Sequence, residues 1–110
     1  MILLKDEINN NVIIRCDGRL DAVTSPQVEN MLNNVLSEKK YNICIDFNKI
    51  DYLSSAGMRL LLSMTKRVKI LGGRFVLFSI NEDVMEIIKM AGFEHILNIY
   101  SDEKQAVIDI

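Results

Sequence analysis

The sequence has 110 residues, of which 49% are hydrophobic and 25% are charged, the length and balance of one globular domain. Its formal net charge of −2 argues against nonspecific binding to nucleic acid, whose phosphates need a basic surface. No apolar run approaches the length that spans a bilayer, and Asp6 and Glu7 come too soon for a signal peptide. We therefore expect a cytoplasmic protein that does not insert into a membrane.

The first two predicted strands form an antiparallel hairpin. Residues 2–5 are apolar, and residues 12–16 are rich in β-branched side chains, as strands are. The asparagines at positions 9–11 predict the turn between these strands, since asparagine tolerates left-handed backbone angles.

A loop over residues 18–26 leads into the first predicted helix. Ser25 followed by Pro26 predicts an N-cap and the first helical position, where the missing N–H of proline costs nothing. The helix should end near residues 38–40. Its buried stripe follows helical spacing: Val28, Met31, Leu32 and Val35.

Residues 41–47 are almost wholly apolar, which is typical of a strand buried on both faces of a parallel sheet. Residues 48–51 predict a loop, and a second helix follows, ended by Gly72 and Gly73. The predicted buried stripe of this helix comprises Met58, Leu61, Leu62, Thr65, Val68 and Leu71.

The remaining chain predicts two more strand–helix units. A strand over residues 74–80 precedes a helix capped by Asn81 and ended by Gly92, and a short strand within residues 93–100 precedes a final helix. The third helix should bury Val84, Ile87, Ile88 and Ala91. The predicted order is ββαβαβαβα, an α/β fold in which helices pack against a mixed sheet.

The sequence offers little for catalysis. The lone histidine, His95, would support a nucleophile only if the fold brought it to Ser55, and the glycine two before the serine of a nucleophile elbow is absent. Neither a P-loop nor a dinucleotide-binding glycine pattern occurs. We predict no catalytic residue.

No cofactor or metal site is predicted either. Asp21, Asp46 and Asp51 lie at strand ends or loops and could bind magnesium, but turn and cap roles are favoured because no phosphate-binding partner accompanies them. Cys16 and Cys44 lie in apolar runs and are expected to be reduced thiols in the core.

Ser54 and Ser55 stand where the second helix should begin. A serine hydroxyl suits that place because the first backbone N–H groups of a helix lack intrahelical partners. The same N–H groups and the helix dipole also favour an added anion. From the residues alone, an ordinary cap and a phosphate acceptor remain equally open.

The order of these segments resembles the STAS domain, specifically the stand-alone anti-sigma factor antagonist family. The resemblance covers nearly the whole chain, and we interpret residues 1–110 as a single STAS domain. Four segments carry the resemblance: Gly-Arg-Leu-Asp at 18–21, Ile-Asp-Tyr-Leu-Ser-Ser-Ala-Gly-Met at 50–58, Gly-Gly-Arg-Phe-Val-Leu at 72–77, and Met-Ala-Gly-Phe at 90–93.

The resemblance implies a partner-switching protein of bacterial transcription regulation. In that family, the unphosphorylated antagonist binds an anti-sigma factor, a serine kinase with a histidine-kinase-like ATPase fold, and so releases the sigma factor. Phosphorylation by this kinase reverses binding, and a serine phosphatase resets the switch. The family's phosphoserine falls on Ser55, with Ser54 as second choice. Many members have aspartate at the position of Ser54, which we interpret as the N-cap, and Ser55 is then the first exposed helical hydroxyl.

The resemblance also implies which residues bind the partner. Asp21 matches a family acid near the phosphoserine. Arg59, one helical turn beyond Ser55, either stabilises a phosphate or is a solvated surface charge, and both roles remain open. The predicted partner-binding residues are Asp21, Ala22, Val23, Thr24, Asp51, Ser54, Ala56, Gly57, Met58 and Arg59.

Two alternatives remain open at this point. STAS-type domains also serve as subunits of lipid-transport or stress-sensing complexes that are not controlled by phosphorylation. A small hydrolase using His95 is the alternative that the residues favour least.

Overall fold

The computed structural model describes residues 1–108. The elements follow in the order β1 (Ile2–Ile8), β2 (Asn11–Leu20), α1 (Ser25–Ser37), β3 (Asn42–Leu53), α2 (Ser55–Ile70), β4 (Arg74–Phe78), α3 (Glu82–Met90), β5 (Ile99–Tyr100) and α4 (Glu103–Ala106). This confirms the predicted order ββαβαβαβα.

A five-stranded mixed sheet carries the fold. Its strand order is β1-β2-β3-β4-β5. β1 pairs antiparallel with β2, while the pairs β2–β3, β3–β4 and β4–β5 are parallel. The predicted hairpin and the parallel helical crossovers are both confirmed.

Strands β2 and β3 are longer than predicted. Residues 48–51, predicted as a loop, belong to β3, and residues 18–20 belong to β2. The two extensions pair with each other up to Leu20 and Leu53, across register shifts after Arg15 and after Gly18. The polar composition of these segments indicates a turn, but the backbone hydrogen bonds of the pair hold both chains extended.

Other differences lie at element ends. The N-cap of α1 is Thr24 rather than Ser25, which is the first helical residue. Leu71 and Ala91, predicted to be buried, are exposed C-cap residues that lie just beyond α2 and α3. Within the predicted segment 93–100, only Ile99–Tyr100 is a strand.

The sheet is covered unequally on its two faces. The main core packs α1, α2 and α3 against one face, with Ile14, Ile45 and Leu77 among the strand residues that it buries. The opposite face, which we call the outer face, buries a smaller cluster beneath α4: Ile13, Cys44, Val76, Phe78 and Ala106. Across residues 1–108, no helix combines the length and apolarity needed to cross a membrane.

Arg15 ties the outer face together. Its guanidinium donates to Asp6 on β1 (2.8 Å), Asp46 on β3 (3.0 Å) and Glu103 on α4 (2.6 Å). These three carboxylates, Glu103 foremost, raise the pKa of Arg15 above its usual value. One cation therefore joins three strands and the short helix that covers them.

Candidate functional site

The carboxyl ends of β2 and β3 bring two predicted segments together. We call residues 21–24 and 54–56 the serine edge. Leu20 and Leu53 are register partners at the ends of the two parallel strands. The backbone N–H of Ser54 donates to the Leu20 carbonyl at 2.9 Å, so the start of α2 is hydrogen-bonded to the strand that leads into the 21–24 loop.

Gly57 allows this close approach. A Cβ atom at position 57 would lie 2.6 Å from the Leu20 carbonyl oxygen and 2.8 Å from Cδ1 of Leu53. Only glycine lets the first turn of α2 pack so tightly on the end of β2.

Ser54 and Ser55 have different local roles. Ser54 is the N-cap, and its hydroxyl accepts a hydrogen bond from the Gly57 N–H at 3.2 Å. Ser55 is the first residue of α2 and is exposed. The predicted capping role of Ser54 and the exposed helical position of Ser55 are confirmed.

The surroundings of Ser55 suit an anion. Within residues 1–108, neither the Ser55 hydroxyl nor the N–H groups of Ser55 and Ala56 have a hydrogen-bond partner. These N–H groups lie at the positive end of the α2 dipole. Arg59, exposed one turn later, forms no salt bridge with the described residues.

The 21–24 loop is a rigid turn built by Asp21. The Oδ1 atom of Asp21 accepts from the N–H groups of Val23 (2.9 Å) and Thr24 (3.1 Å). The hydroxyl of Thr24 accepts from the Asp21 N–H (3.0 Å) and donates to the Arg19 carbonyl (2.6 Å). These donors, the Thr24 N–H foremost, lower the pKa of Asp21. The carboxylate of Asp21 is therefore already engaged in hydrogen bonds within the loop.

The tip of this turn presents side chains to solvent. Val23 is 82% exposed, and Ala22 is exposed beside it. Ala22 also lines a shallow depression with Ala56 and Arg59. The predicted residues of the loop and the helix start therefore lie on one accessible surface.

Three predicted partner-binding residues do not fit that surface as expected. Met58 is only 5% exposed and packs in the main core, which confirms its place in the predicted buried stripe and leaves its side chain outside the accessible surface. Gly57 is buried and shapes the edge through its backbone. Asp51 is exposed, but it lies within β3 rather than in a loop.

A cation–π pair that was not predicted from the sequence lies beside the serine edge. The guanidinium of Arg19 on β2 lies 4.1 Å from the ring centroid of Tyr52 on β3, within the range of a cation–π interaction. The Nε atom of Arg19 also lies 3.7 Å from Oδ2 of Asp21. Arg19 and Tyr52 are register partners only because the pairing of β2 and β3 shifts at a bulge before them. No local sequence signal reveals such a shift.

The groups considered for catalysis or metal binding are placed elsewhere. His95 follows α3, its side chain is 93% exposed, and its Nε2 atom lies 3.8 Å from Oε1 of Glu94. Among residues 1–108, no group of three His, Cys, Asp or Glu residues is arranged to hold a metal ion. The carboxylate of Asp46 accepts hydrogen bonds from the Arg15 guanidinium and from the Asn48 N–H.

Both cysteines are free and buried, as predicted. Burial raises the pKa of the Cys16 thiol to about 12 and that of Cys44 to about 11. Both side chains therefore stay in the thiol form and act as small core residues.

Comparison with known proteins places this geometry in a family. The STAS domain model matches residues 3–106. BtrV of Bordetella bronchiseptica, a candidate anti-sigma factor antagonist, is 26% identical over 106 residues, covering 96% of this chain and 91% of that protein.

Two solved structures share the fold. An anti-sigma factor antagonist from Mycobacterium paratuberculosis superposes with a TM-score of 0.85 at 19% identity, covering 96% of this chain and 89% of that one. The Bacillus cell fate determinant SpoIIAA in its phosphorylated form gives 0.71 at 17% identity, covering 94% and 96%. The chain belongs to the STAS domain family.

Proposed function

We propose that this chain is an anti-sigma factor antagonist controlled by phosphorylation of Ser55. In the unmodified state, the serine edge binds an anti-sigma factor that is also a serine kinase. Binding releases the sigma factor, phosphorylation ends binding, and a serine phosphatase restores it. The observation that carries the proposal is the exposed hydroxyl of Ser55, which has no hydrogen-bond partner among residues 1–108 and stands at the start of a helix that is hydrogen-bonded to β2.

The physical chemistry of the edge supports this switch. A phosphate on Ser55 would add roughly two negative charges and three acceptor oxygens. The free N–H groups of Ser55 and Ala56 and the guanidinium of Arg59 would stabilise that charge without rearranging the fold. The partner would meet a charged group where a small hydroxyl stood, beside Val23 and Ala22.

The comparisons support the same function. Similar proteins include anti-sigma factor antagonists, and one structural neighbour is a phosphorylated form. Within residues 1–108, the two cysteines are buried thiols and His95 is exposed with Glu94 as its charged neighbour. Since these groups form no catalytic arrangement, we infer a non-enzymatic protein. We further infer that it acts in the cytoplasm as one domain spanning residues 1–110.

The central experiment is incubation of the chain with the candidate anti-sigma kinase of its source organism and ATP, followed by mass spectrometry. We expect one phosphate on Ser55 in the wild type and in Ser54→Ala, and none in Ser55→Ala. Modification of Ser54 alone would reverse the assignment of the two serines. No phosphate on either residue would refute the switch.

Binding to the same kinase provides the second measurement. Ser55→Asp should weaken binding at least ten-fold with unchanged thermal stability. Ser55→Ala should bind like the wild type without ATP and, unlike the wild type, should remain bound when ATP is added. Unchanged binding of Ser55→Asp would place the interface elsewhere. It would then favour a STAS subunit that is not controlled by phosphorylation.

A further inference from the structure

Helix α2 is strongly basic in an acidic protein. It contains Arg59, Lys66, Arg67 and Lys69 and no acidic residue. Since the whole chain carries −2 and this helix carries +4, the rest of the chain carries −6. Positive charge is therefore concentrated on the exposed side of one helix.

These four cations are not neutralised within the structure. All four are exposed, and none forms a salt bridge with the residues described. Of the 13 Lys and Arg residues, only Arg15, Arg19 and Lys40 have a carboxylate partner within residues 1–108, so α2 is distinguished by the number of its cations and by its lack of acidic residues. Arg67 and Lys69 lie in the last turn of α2, where the helix dipole favours cations, but no carboxylate of residues 1–108 pairs with them.

A groove with an apolar lining runs beside the carboxyl-terminal half of α2. Leu36 and Tyr41 line it from the α1 side, and Ile70 and Leu71 line it from the α2 side. Ile70 is 76% exposed and Leu71 is 42% exposed, so apolar surface remains open to solvent here.

Cations border this groove. Lys66 and Arg67 lie along it, and Nη1 of Arg67 donates to Oδ1 of Asn33 on α1 at 2.6 Å. That neutral partner adds no negative charge, and Arg67 has no carboxylate partner among residues 1–108. The helix groove, lined by Leu36, Tyr41, Lys66, Arg67, Ile70 and Leu71, thus combines an apolar lining with a positive border.

We propose that the helix groove binds an acidic, amphipathic helical segment of a partner protein. Apolar side chains of that segment would cover Ile70 and Leu71, and its carboxylates would pair with Lys66 and Arg67. A nucleic acid fits less well, because the acidic remainder of the chain repels a long polyanion and the apolar lining would stay exposed.

This surface is distinct from the serine edge. Ser55 and Ile70 are the two ends of α2, about 22 Å apart at the α-helical rise of about 1.5 Å per residue. The groove therefore adds a second contact surface and does not depend on phosphorylation of Ser55.

The test is an NMR titration of the ¹⁵N-labelled full chain with a synthetic helical peptide that carries leucines on one face and glutamates on the other. We expect saturable shifts around Leu36, Arg67 and Ile70. A scrambled peptide of the same composition should bind at least ten-fold more weakly. Shifts that never saturate, or equal binding of the scrambled peptide, would overturn the proposal.

Matched variants separate charge and apolar contacts. Lys66→Glu/Arg67→Glu should weaken peptide binding at least ten-fold, and Ile70→Ser about five-fold. Lys49→Glu/Lys89→Glu, which changes the net charge equally outside the groove, should change binding less than two-fold. Equal losses in the two charge-reversal variants would contradict a groove-specific site.

Two competing ligands complete the design. A duplex DNA oligonucleotide and phosphatidylserine vesicles are titrated under the same salt conditions. Either ligand binding the groove more tightly than the peptide would overturn the assignment of a protein partner. Weaker, salt-sensitive binding that Ile70→Ser leaves unchanged would support it.

Discussion

The outer face around Arg15 and the serine edge differ in how fully their polar groups are paired within the protein. Arg15 is matched by three carboxylates from three different elements, whereas Ser55 has no hydrogen-bond partner within residues 1–108. Groups satisfied inside the chain contribute to its stability. Those left open next to a rigid framework are available to a partner, so the comparison separates the stabilising region from the recognising one.

Gly57→Ala should produce the largest effect, because the serine edge depends on backbone contact. The new Cβ would lie 2.6 Å from the Leu20 carbonyl oxygen, and such overpacking costs about 1–3 kcal/mol. Urea unfolding measures this loss. Ser63→Ala, an exposed change on the same helix, is the control and should stay within about 0.5 kcal/mol of the wild type.

Arg15→Met should be next in size and should act on stability alone. It removes three charge-assisted hydrogen bonds and leaves Asp46, whose side chain is 15% exposed, without its cation. We expect a loss of about 1–2 kcal/mol in urea unfolding, with unchanged affinity for the anti-sigma partner. A variant of normal stability would show that the solvent compensates these carboxylates fully.

Ser54→Ala should lower the stability of the fold more than Ser55→Ala does, because only Ser54 caps the helix. Loss of the N-cap hydroxyl typically costs about 1 kcal/mol, while removal of the exposed Ser55 hydroxyl should cost less than about 0.5 kcal/mol. Thermal unfolding of both variants measures the difference. Equal losses would mean that the hydroxyl of Ser55 also has a structural role.

Asp21→Asn should give the smallest effect, visible only in acid. A lowered folded-state pKa stabilises the fold above the unfolded value of about 3.9 and loses that contribution as the pH falls through the folded-state pKa. The amide keeps an acceptor oxygen but does not titrate. Stability measured between about pH 2 and 5 should therefore fall less steeply in the variant, and parallel curves would show that Asp21 does not contribute.

The element order was predictable because each strand and helix has its own local signal. Apolar β-branched runs alternate with helical stripes that end in glycine or charged residues. The extension of β3 was not predictable in this way, because residues 48–51 are polar and become a strand only by pairing with residues 17–20 of β2. Tertiary pairing overrode local composition.

The site was predictable in part for the same reason. The distinction between Ser54 and Ser55 follows from capping chemistry and the family resemblance, and the structure confirms the capping half of it. The burial of Met58 follows from the helical stripe, which argued against an exposed partner contact at this residue. The Arg19–Tyr52 pair depends on register across a bulge and is not encoded locally.

The contact between Gly57 and Leu20 limits how the fold can respond to a modification of Ser55. Because backbone touches backbone there, α2 cannot slide or tilt toward the sheet to absorb a new group. A phosphate would lie on the surface of an unchanged fold, so the phosphorylated and unphosphorylated proteins would have the same conformation. The modified state would last only as long as the covalent phosphate, whose lifetime would be set by the enzymes that add and remove it.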